Sequence, residues 1–483
     1  MILLLQQQIN QLFMFHEASK LQFCLNENYK PFLQKAHKKK PKKVSFPLPK
    51  MPENRLKRLY HYSNTHPSLQ PTLTIQTLSQ VLFYSHLAFI QAHPHHDSAP
   101  LFCYIIAPSL PPLSAYPFIG KYHYDEHSIE YIQTLSEKEW EQLTNGLIQP
   151  SFFIGITSYF HSPVQHYHFK KYQTDIGHLL ANLFLINQQF NFQGQLLSHF
   201  QPAMLDQLLR VSPNERCECI VNFQPNLGIP LPNFLPPIIN QPHLPLYNNL
   251  AHTLQELTHQ KPLQPLLRKS KHKKEQITEK RRIHSLAQKE DFDPEYTMPF
   301  HTFERILQSF YTIHLQLRNE WLPWKESVQF AFFINRVEGL QPGLYLLFLN
   351  DKQITSFRSQ CKVTFNWTKV SKEYQFYSLF EAPLNEMISD ICLNDPFVKN
   401  SALTVSFINS FKPFITTFGV SMYQRLFWEA GMLAELIRLE SRLEKVDAVS
   451  HPFYYESLFE KVMGISHHED FMNTYHLSIG KWK

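Results

Sequence analysis

Stretches with helical hydrophobic periodicity alternate along the chain with short, continuously apolar runs that are typical of buried strands. Apolar positions in 174–190 recur at the helical period, at Ile176, Leu179, Leu180, Leu183, Phe184 and Phe190. A second long helix is predicted over 422–445, with Met422, Leu426, Leu433, Ile437 and Leu443 along one side. Runs such as "VQFAFFINRV" and "LYLLFLN" predict strands. The chain therefore mixes helices and strands in an α+β arrangement.

The order of these elements recurs, which predicts two related halves. Each half has a helix, strands around a Gly-x-Tyr element, a long helix, a short helix and a final strand. The repeat aligns Gly120 with Gly343, and Gly177 with Gly431. A segment with seven prolines in 25 residues, 223–247, has the composition of a linker. We predict an N-terminal extension (1–69), a first domain (70–223), a Pro-rich and basic linker (224–274) and a second domain (275–483).

Glycine is scarce, so each glycine inside a predicted helix needs a reason. The chain has only 12 glycines among 483 residues, against an average usage of about 7%. Gly177 and Gly431 each lie within a long helix, where glycine costs ~1 kcal/mol relative to alanine. Close contact between the two helices is the favoured explanation, and the close approach of a ligand is the alternative.

Composition and charge limit the classes of partner. The net charge of +6 comes largely from two basic runs, 35–43 and 268–282. Neither run interleaves aromatic residues as a base-stacking surface would, so a solvated loop and a solvated linker are predicted, with no nucleic-acid partner. No run approaches the ~20 apolar residues needed to cross a bilayer, so no membrane partner is predicted.

The compartment is predicted from the N-terminus and the cysteines. The apolar start lacks a basic region and is a poor signal peptide. Six cysteines are thinly spread in mostly apolar sequence, and Cys217 and Cys219 are predicted to share one face of a strand. A reducing, cytoplasmic location is expected.

Several common types of site are not supported by the sequence. Histidine clusters occur at 93–97 and 467–470, but adjacent loop histidines seldom reach one ion, so no metal is predicted. The chain has no Gly-x-Ser-x-Gly elbow, Walker-type loop or dinucleotide-binding glycine fingerprint. Hydrolase, ATPase and Rossmann dehydrogenase functions are therefore not predicted.

Two stretches of the second half carry a family resemblance. "NRVEGLQPGLYLL" and "YQRLFWEAGMLAELIRLES" resemble the second half of SagB/ThcOx-type dehydrogenases, a branch of the FMN-dependent nitroreductase superfamily. "YHYDEHSIEYI" and "DIGHLLANL" are similar to that family's first half. The resemblance covers roughly 70–223 and 275–481. It implies two fused nitroreductase-like domains, each a mostly antiparallel sheet flanked by helices, that form a pseudo-dimer. Gly339 and Gly343 are then expected at a turn and a strand entry.

The same resemblance implies a flavin site. Arg281, Arg282 and Ser285 would bind the FMN phosphate, although the serine is displaced by two residues from the family's Arg-Arg-Ser motif. The ring would be bordered by His95, His96 and Ser98, where the family's loop has a glycine, and walled on the other side by Gly177, His178 and Asn182. Lys171 and Tyr172 resemble a Lys-Tyr pair that acts as proton acceptor in azoline-oxidising relatives.

Each assignment has a structural alternative. The arginines can be the end of a basic linker, Lys171 a surface residue beside a packed tyrosine, and His178 with Asn182 a polar pair between the halves. Two functions follow. The first is an FMN-dependent oxidoreductase that uses a nicotinamide donor or a peptide substrate. The second is a flavin-free relative that acts as a scaffold or a peptide-binding subunit.

Overall fold

The computed structural model describes most of both predicted halves. The described residues are 12–13, 45–49, 73–92, 101–144, 152–159, 166–197, 202–212, 215–225, 291–317, 321–322, 328–419, 422–465 and 470–483. They form two lobes, each built on one seven-stranded sheet. We call residues 45–225 the first lobe and residues 291–483 the second lobe.

The first lobe has seven strands and four described helices. Its elements are β1 Ser45–Pro47, α1 Ile75–Ala92, β2 Leu101–Ala107, β3 Phe118–His123, β4 Ser128–Thr134, α2 Glu137–Thr144, β5 Phe152–Tyr159, α3 His166–Gln189, β6 Phe192–Leu196, α4 Pro202–Leu208 and β7 Glu215–Pro225. The sheet is antiparallel throughout, in the order β1-β4-β3-β2-β5-β7-β6.

The second lobe repeats this plan with additional short helices. Its elements are α5 Phe300–Gln316, β8 Val328–Ile334, β9 Gly343–Phe348, α6 Asp351–Gln360, β10 Thr368–Lys369, β11 Gln375–Glu381, α7 Asn385–Ile391, α8 Pro396–Asn400, β12 Leu403–Ser410, α9 Phe411–Phe418, α10 Tyr423–Leu443, β13 Asp447–His451, α11 Glu456–Met463 and β14 Phe471–Gly480. Its antiparallel sheet has the order β10-β11-β9-β8-β12-β14-β13.

The two sheet orders match strand for strand, from β1 and β10 at one edge to β6 and β13 at the other. In each lobe the long helix lies between the same two strands in sequence, so α3 corresponds to α10. The α+β fold predicted from the sequence is therefore confirmed. The domain boundaries at 69, 223 and 274 stay predictions.

A hydrophobic core shared by both lobes explains why the central strands read as unbroken apolar runs. All seven residues of β8 and all six of β9 are buried. One large cluster combines the inner faces of both sheets with α1, α3, α5 and α10. Smaller clusters fill the outer face of each sheet. Strands covered on both faces lose the alternation that a half-exposed strand would show.

The glycines near the start of β9 serve the fold. Gly339 has φ +74° in the turn between β8 and β9, a conformation that favours glycine. Gly343 opens β9, where a Cβ would overlap the carbonyl oxygen of Phe380 on the neighbouring strand. The predicted turn and strand entry are confirmed.

The cysteine pair of β7 departs from the prediction. Cys219 packs in the large inner cluster, whereas Cys217 packs in the outer cluster of the first lobe. The prediction that they share one face is wrong because the register between β5 and β7 shifts between these positions. A bulge of this kind adds a residue and reverses the alternation locally.

Among the described residues, none of the helices combines the length and the apolar character that spanning a bilayer requires.

Candidate functional site between the two central helices

The two central helices touch at a pair of glycines. A Cβ on Gly177 would overlap the carbonyl oxygen of Trp428 and would lie 3.0 Å from the Cα of Gly431. A Cβ on Gly431 would overlap the carbonyl oxygen of Thr174 and would lie 3.1 Å from the amide nitrogen of His178. The prediction of close helix contact is confirmed, because backbone meets backbone at this point.

One turn further along, a buried polar network joins the lobes around the carboxylate of Glu435. Asn182 donates from Nδ2 to Oε1 at 3.1 Å, and Nδ1 of His178 lies 3.3 Å from Oε2. Arg438 donates from Nε to Oε2 at 3.1 Å and makes a second, shorter bond to Oε1. Since α3 supplies the histidine and asparagine, and α10 the glutamate and arginine, the network bridges the lobes.

The charge state of this network follows from its partners. Burial alone would raise the pKa of Glu435, but Arg438 and His178 outweigh it and hold that pKa well below its ordinary value. Burial raises the pKa of Tyr475, so its hydroxyl stays neutral. That hydroxyl lies 2.7 Å from Nε2 of His178 and is its natural donor. We assign the Nδ1 proton of His178 to the bond with Glu435 on this basis.

Further buried contacts extend the joint away from the network. Lys170 of α3 donates to Glu456 of α11 at 3.0 Å, with both side chains buried. Trp428 donates from Nε1 to Gln173 at 2.6 Å, and Gln173 in turn donates to Glu218 at 3.3 Å. Burial raises the pKa of Glu218 although Ser158 and Gln173 both donate to its carboxylate. The contacts of Lys170 with Glu456 and of Gln173 with Trp428 also cross between the lobes, and we call them, together with the Glu435 network, the polar seam.

The predicted Lys-Tyr pair lies on α3 near this seam. Lys171 is buried, and its Nζ lies 2.5 Å from Oδ2 of Asp175, one turn along the same helix. Tyr172 is partly exposed. Neighbouring positions on a helix of 3.6 residues per turn point about 100° apart, so the two side chains do not converge on one point. Their catalytic role stays a prediction.

The other predicted site residues divide into two groups. Gly177, His178 and Asn182 come together at the helix crossing, as described above. His95, His96, Ser98, Arg281, Arg282 and Ser285 lie outside the described residues, so their roles stay predictions. Within the described part of the chain, no group of three or more His, Cys, Asp or Glu residues is placed to hold a metal ion.

The residues at the crossing do not fit a flavin ring. Among the residues predicted to wall the ring, His178 is 1% exposed and Asn182 is fully buried, and both are bonded to Glu435. Gly177 is covered by Gly431 and Trp428. A ring here would displace the partners of a buried ionised carboxylate, and breaking such a pair costs about 3–5 kcal/mol.

A pocket of about 240 Å³ occurs elsewhere, at the edge of the second lobe. It lies between the start of α5 and the β10–β11 turn, with Phe300 and Leu340 on its apolar side and Lys372 and Glu373 at its rim. Pockets for small molecules are commonly about 300–1,000 Å³. This pocket is smaller and does not include residues of the helix crossing.

Sequence reasoning missed Glu435, Arg438 and Tyr475, the partners that define the site. One signal was present. Glu435 lies four residues after Gly431, and Arg438 three residues later, so all three share one side of α10. A glutamate and an arginine on the contact side of a largely apolar helix indicate a buried ion pair. Tyr475 had no such signal, because its place in β14 is set by sheet pairing.

Comparison with known proteins identifies a solved structure that shares this fold. Neither the protein-family models nor the curated proteins contain a match. Among solved structures, a putative nitroreductase from Anabaena variabilis matches with a TM-score of 0.64 at 15% identity, over 98% of this chain and 99% of that one. The likeness covers both lobes in one alignment. The fold is therefore that of a two-lobed, nitroreductase-like protein, and the resemblance found in the sequence is confirmed at the level of the fold.

Two further structures match only part of the chain. A putative nitroreductase from Ralstonia eutropha covers 38% of this chain and 89% of its own, at 14% identity and a TM-score of 0.27. The E. coli microcin synthetase McbBCD complex with truncated pro-MccB17 bound covers 45% of this chain and 93% of its own, at 11% identity and a TM-score of 0.27.

Proposed function

We propose that this chain is a flavin-free, nitroreductase-like protein that acts as a scaffold or binding subunit. In this proposal the joint between the lobes is structural. The supporting observation is the state of the three residues predicted to wall the flavin. Gly177 is in backbone contact with Gly431, and the side chains of His178 and Asn182 are both hydrogen-bonded to Glu435. Residues that shape a cofactor site should face a cavity, and these face each other.

The departures in sequence support the same proposal. A flavin ring packed against backbone amides needs small residues, and the corresponding loop carries His95 and His96 in place of a glycine. The hydroxyl of Ser285 is displaced from the arginines that would share the phosphate. Both features weaken the two ends of an FMN site, while the fold that would surround it is retained.

The second candidate is an FMN-dependent oxidoreductase, which is favoured by the full-length likeness to a putative nitroreductase. In that case residues 95–98 would border the flavin ring, and Arg281, Arg282 and Ser285 would bind its phosphate. Fold likeness alone is weak support, since one fold hosts many functions.

Flavin binding to the purified full-length chain separates the two candidates. We expect a colourless protein without absorbance near ~450 nm, and no change in FMN fluorescence on titration with protein. The double variant Arg281→Ala/Arg282→Ala should behave like the wild type. The matched control, Arg268→Ala/Lys269→Ala, removes the same charge from the same basic run outside the proposed phosphate site.

A yellow protein that releases FMN on denaturation would overturn the flavin-free proposal. If the wild type binds FMN and only Arg281→Ala/Arg282→Ala weakens that binding, the second candidate is correct. Weak binding that both double variants reduce equally reflects the charge of the basic run, and leaves the flavin-free proposal standing.

A further inference from the structure

Aromatic rings line the pocket at the edge of the second lobe. Phe300 and Phe303, in the first turn of α5, have ring centroids 6.3 Å apart, and Phe303 packs against Phe376 of β11 at 5.8 Å. Tyr374, one position before β11, supplies another ring. Phe300 is 45% exposed, so this aromatic surface is open to solvent. A group of rings around a small, open cavity is a typical binding site for an organic cation.

The wall formed by Tyr374 is held in place by contacts within the lobe. Oγ of Ser371 accepts hydrogen bonds from the amides of Glu373 at 3.2 Å and of Tyr374 at 3.1 Å, which shapes the turn between β10 and β11. The ring of Tyr374 packs on Tyr311 of α5 with centroids 4.9 Å apart, and the Tyr311 hydroxyl donates to the carbonyl of Phe348 at 2.5 Å. The pocket is therefore shaped before a ligand arrives, which lowers the entropic cost of binding.

Two carboxylates line the same pocket from its two sides. Glu304 belongs to α5 and Glu373 to the turn, and both side chains are exposed. Neither carboxylate forms an ion pair with another described residue. Partial burial raises the pKa of Tyr374, and the charges of Glu373 and Glu304 raise it further, so both negative charges act near one hydroxyl. Lys372 also lines the pocket, but two carboxylates outweigh one ammonium group.

The size and the polar groups of the pocket select one kind of cation. A volume of about 240 Å³ is below the usual range for small-molecule sites, about 300–1,000 Å³, and suits a single side chain of a larger partner. A guanidinium group is planar, weakly hydrated and able to stack on rings, and its five N–H donors can reach both carboxylates. A quaternary ammonium has no donor for the carboxylates, and the ammonium of lysine is more strongly hydrated.

We propose that this pocket binds the side chain of an arginine in a partner peptide. The guanidinium lies against the aromatic rings and donates hydrogen bonds to the carboxylates of Glu304 and Glu373. The assignment rests on the proposed function of a binding subunit and names the class of partner. The pocket contains none of the residues considered for FMN, so flavin binding and arginine binding can each fail without the other.

The test uses the full-length chain and a short peptide, Gly-Ser-Gly-Arg-Gly-Ser-Gly, blocked at both ends so that arginine carries its only charge. Titration by saturation-transfer NMR, which detects weak ligands, gives the dissociation constant. A peptide with citrulline in place of arginine keeps the length and shape of the side chain but has no charge. We expect the citrulline peptide to bind at least ~10-fold more weakly, because charge-assisted hydrogen bonds and the attraction of the rings are lost. A lysine peptide should also bind more weakly than the arginine peptide.

Removing the two carboxylates should weaken binding without affecting the fold. We expect Glu304→Gln/Glu373→Gln to bind the arginine peptide at least ~10-fold more weakly than the wild type. The matched control is Glu137→Gln/Glu141→Gln, which removes two exposed carboxylates from α2 in the first lobe and should behave like the wild type.

Two single variants test the other parts of the site. Phe300→Ala should weaken binding about 3-fold, because an exposed ring contributes modestly to the attraction of a cation. Its control is Phe380→Ala, since Phe380 is 46% exposed on β11 and is not a lining residue. Lys372→Ala should have the opposite effect and strengthen binding, because it removes a like charge from the rim.

Equal binding of the arginine and citrulline peptides would overturn the proposal, as would equal binding of the arginine and lysine peptides. Equal losses for the Glu304/Glu373 and Glu137/Glu141 variants would show a general attraction to a negative surface, and would also refute the site. Failure of every peptide to bind a chain that is also free of flavin would reject the arginine site and leave the flavin-free assignment intact.

Discussion

Consecutive residues of β14, Tyr475 and His476, enter two buried polar clusters on opposite faces of the second sheet. On the inner face, Tyr475 contacts His178, which contacts the carboxylate of Glu435. On the outer face, Nδ1 of His476 lies 2.7 Å from the hydroxyl of Ser406. The neighbouring hydroxyls of Thr404 and Ser478 are 2.8 Å apart. Both clusters are almost fully buried.

The two clusters differ in charge: the inner cluster contains an ionised carboxylate, and the outer cluster contains a neutral imidazole. On the inner face, Arg438 and His178 overcome the effect of burial and keep the carboxylate of Glu435 ionised. On the outer face, burial and the nearby His451 lower the pKa of His476 well below its ordinary value, so its ring stays neutral. The inner cluster joins the two lobes and the outer one lies within a single lobe. We expect the buried charge, which has partners on both lobes, to favour this one fit of the lobes, whereas the neutral hydrogen bonds satisfy only local groups.

Removing the inner charge should have the largest effect. Glu435→Ala leaves the guanidinium of Arg438 buried without its carboxylate, and removes the acceptor for His178 and Asn182. We expect the free energy of unfolding to fall by about 3–5 kcal/mol, as measured by urea denaturation. The control is Glu386→Ala, because the pair of Glu386 with Lys399 spans 2.8 Å on an exposed surface.

An exposed pair of this kind contributes about 0–1 kcal/mol. Similar losses for Glu435→Ala and Glu386→Ala would mean that the inner cluster is not the joint between the lobes.

A smaller effect is expected from separating the helices without touching the charges. Gly431→Ala places a Cβ against the carbonyl oxygen of Thr174, and backbone cannot move aside as a side chain can. We expect a loss of about 1–3 kcal/mol in the free energy of unfolding, despite the better helix propensity of alanine. The control is Gly155→Ala, where the nearest atom is a side-chain methyl of Leu209 at 3.3 Å. A Gly431→Ala variant as stable as the wild type would refute the close contact.

The fold of the molecule could be predicted from the sequence better than the residues of the candidate functional site. Helical periodicity located α3 and α10, and glycine scarcity identified their contact, because both signals are local. Glu435 could not be assigned as the partner of His178, since 257 positions separate them and only the assembled lobes bring them together. The separation of Cys217 from Cys219 depends on a register shift between strands, which is not encoded in the spacing of the pair.

The neutral cluster should give the smallest effect, visible only as a pH dependence. His476 has a folded pKa below its unfolded value of ~6.5, so its contribution is complete above that pH and decreases as the pH falls below it. As the pH falls, the free energy of unfolding of the wild type should decrease by about 1 kcal/mol per pH unit more than that of His476→Asn. The amide of the introduced asparagine can still bond Ser406 but cannot titrate. Urea denaturation between pH 7 and pH 5 measures the difference.

Burial also lowers the pKa of His86, to about 4, but the pH dependence that His86 causes is common to the wild type and the His476→Asn variant. His301→Asn, on an exposed face of α5, should match the wild type. Parallel curves for the wild type and His476→Asn would show that folding does not lower the pKa of His476, and the contrast between a charged and a neutral cluster would fail.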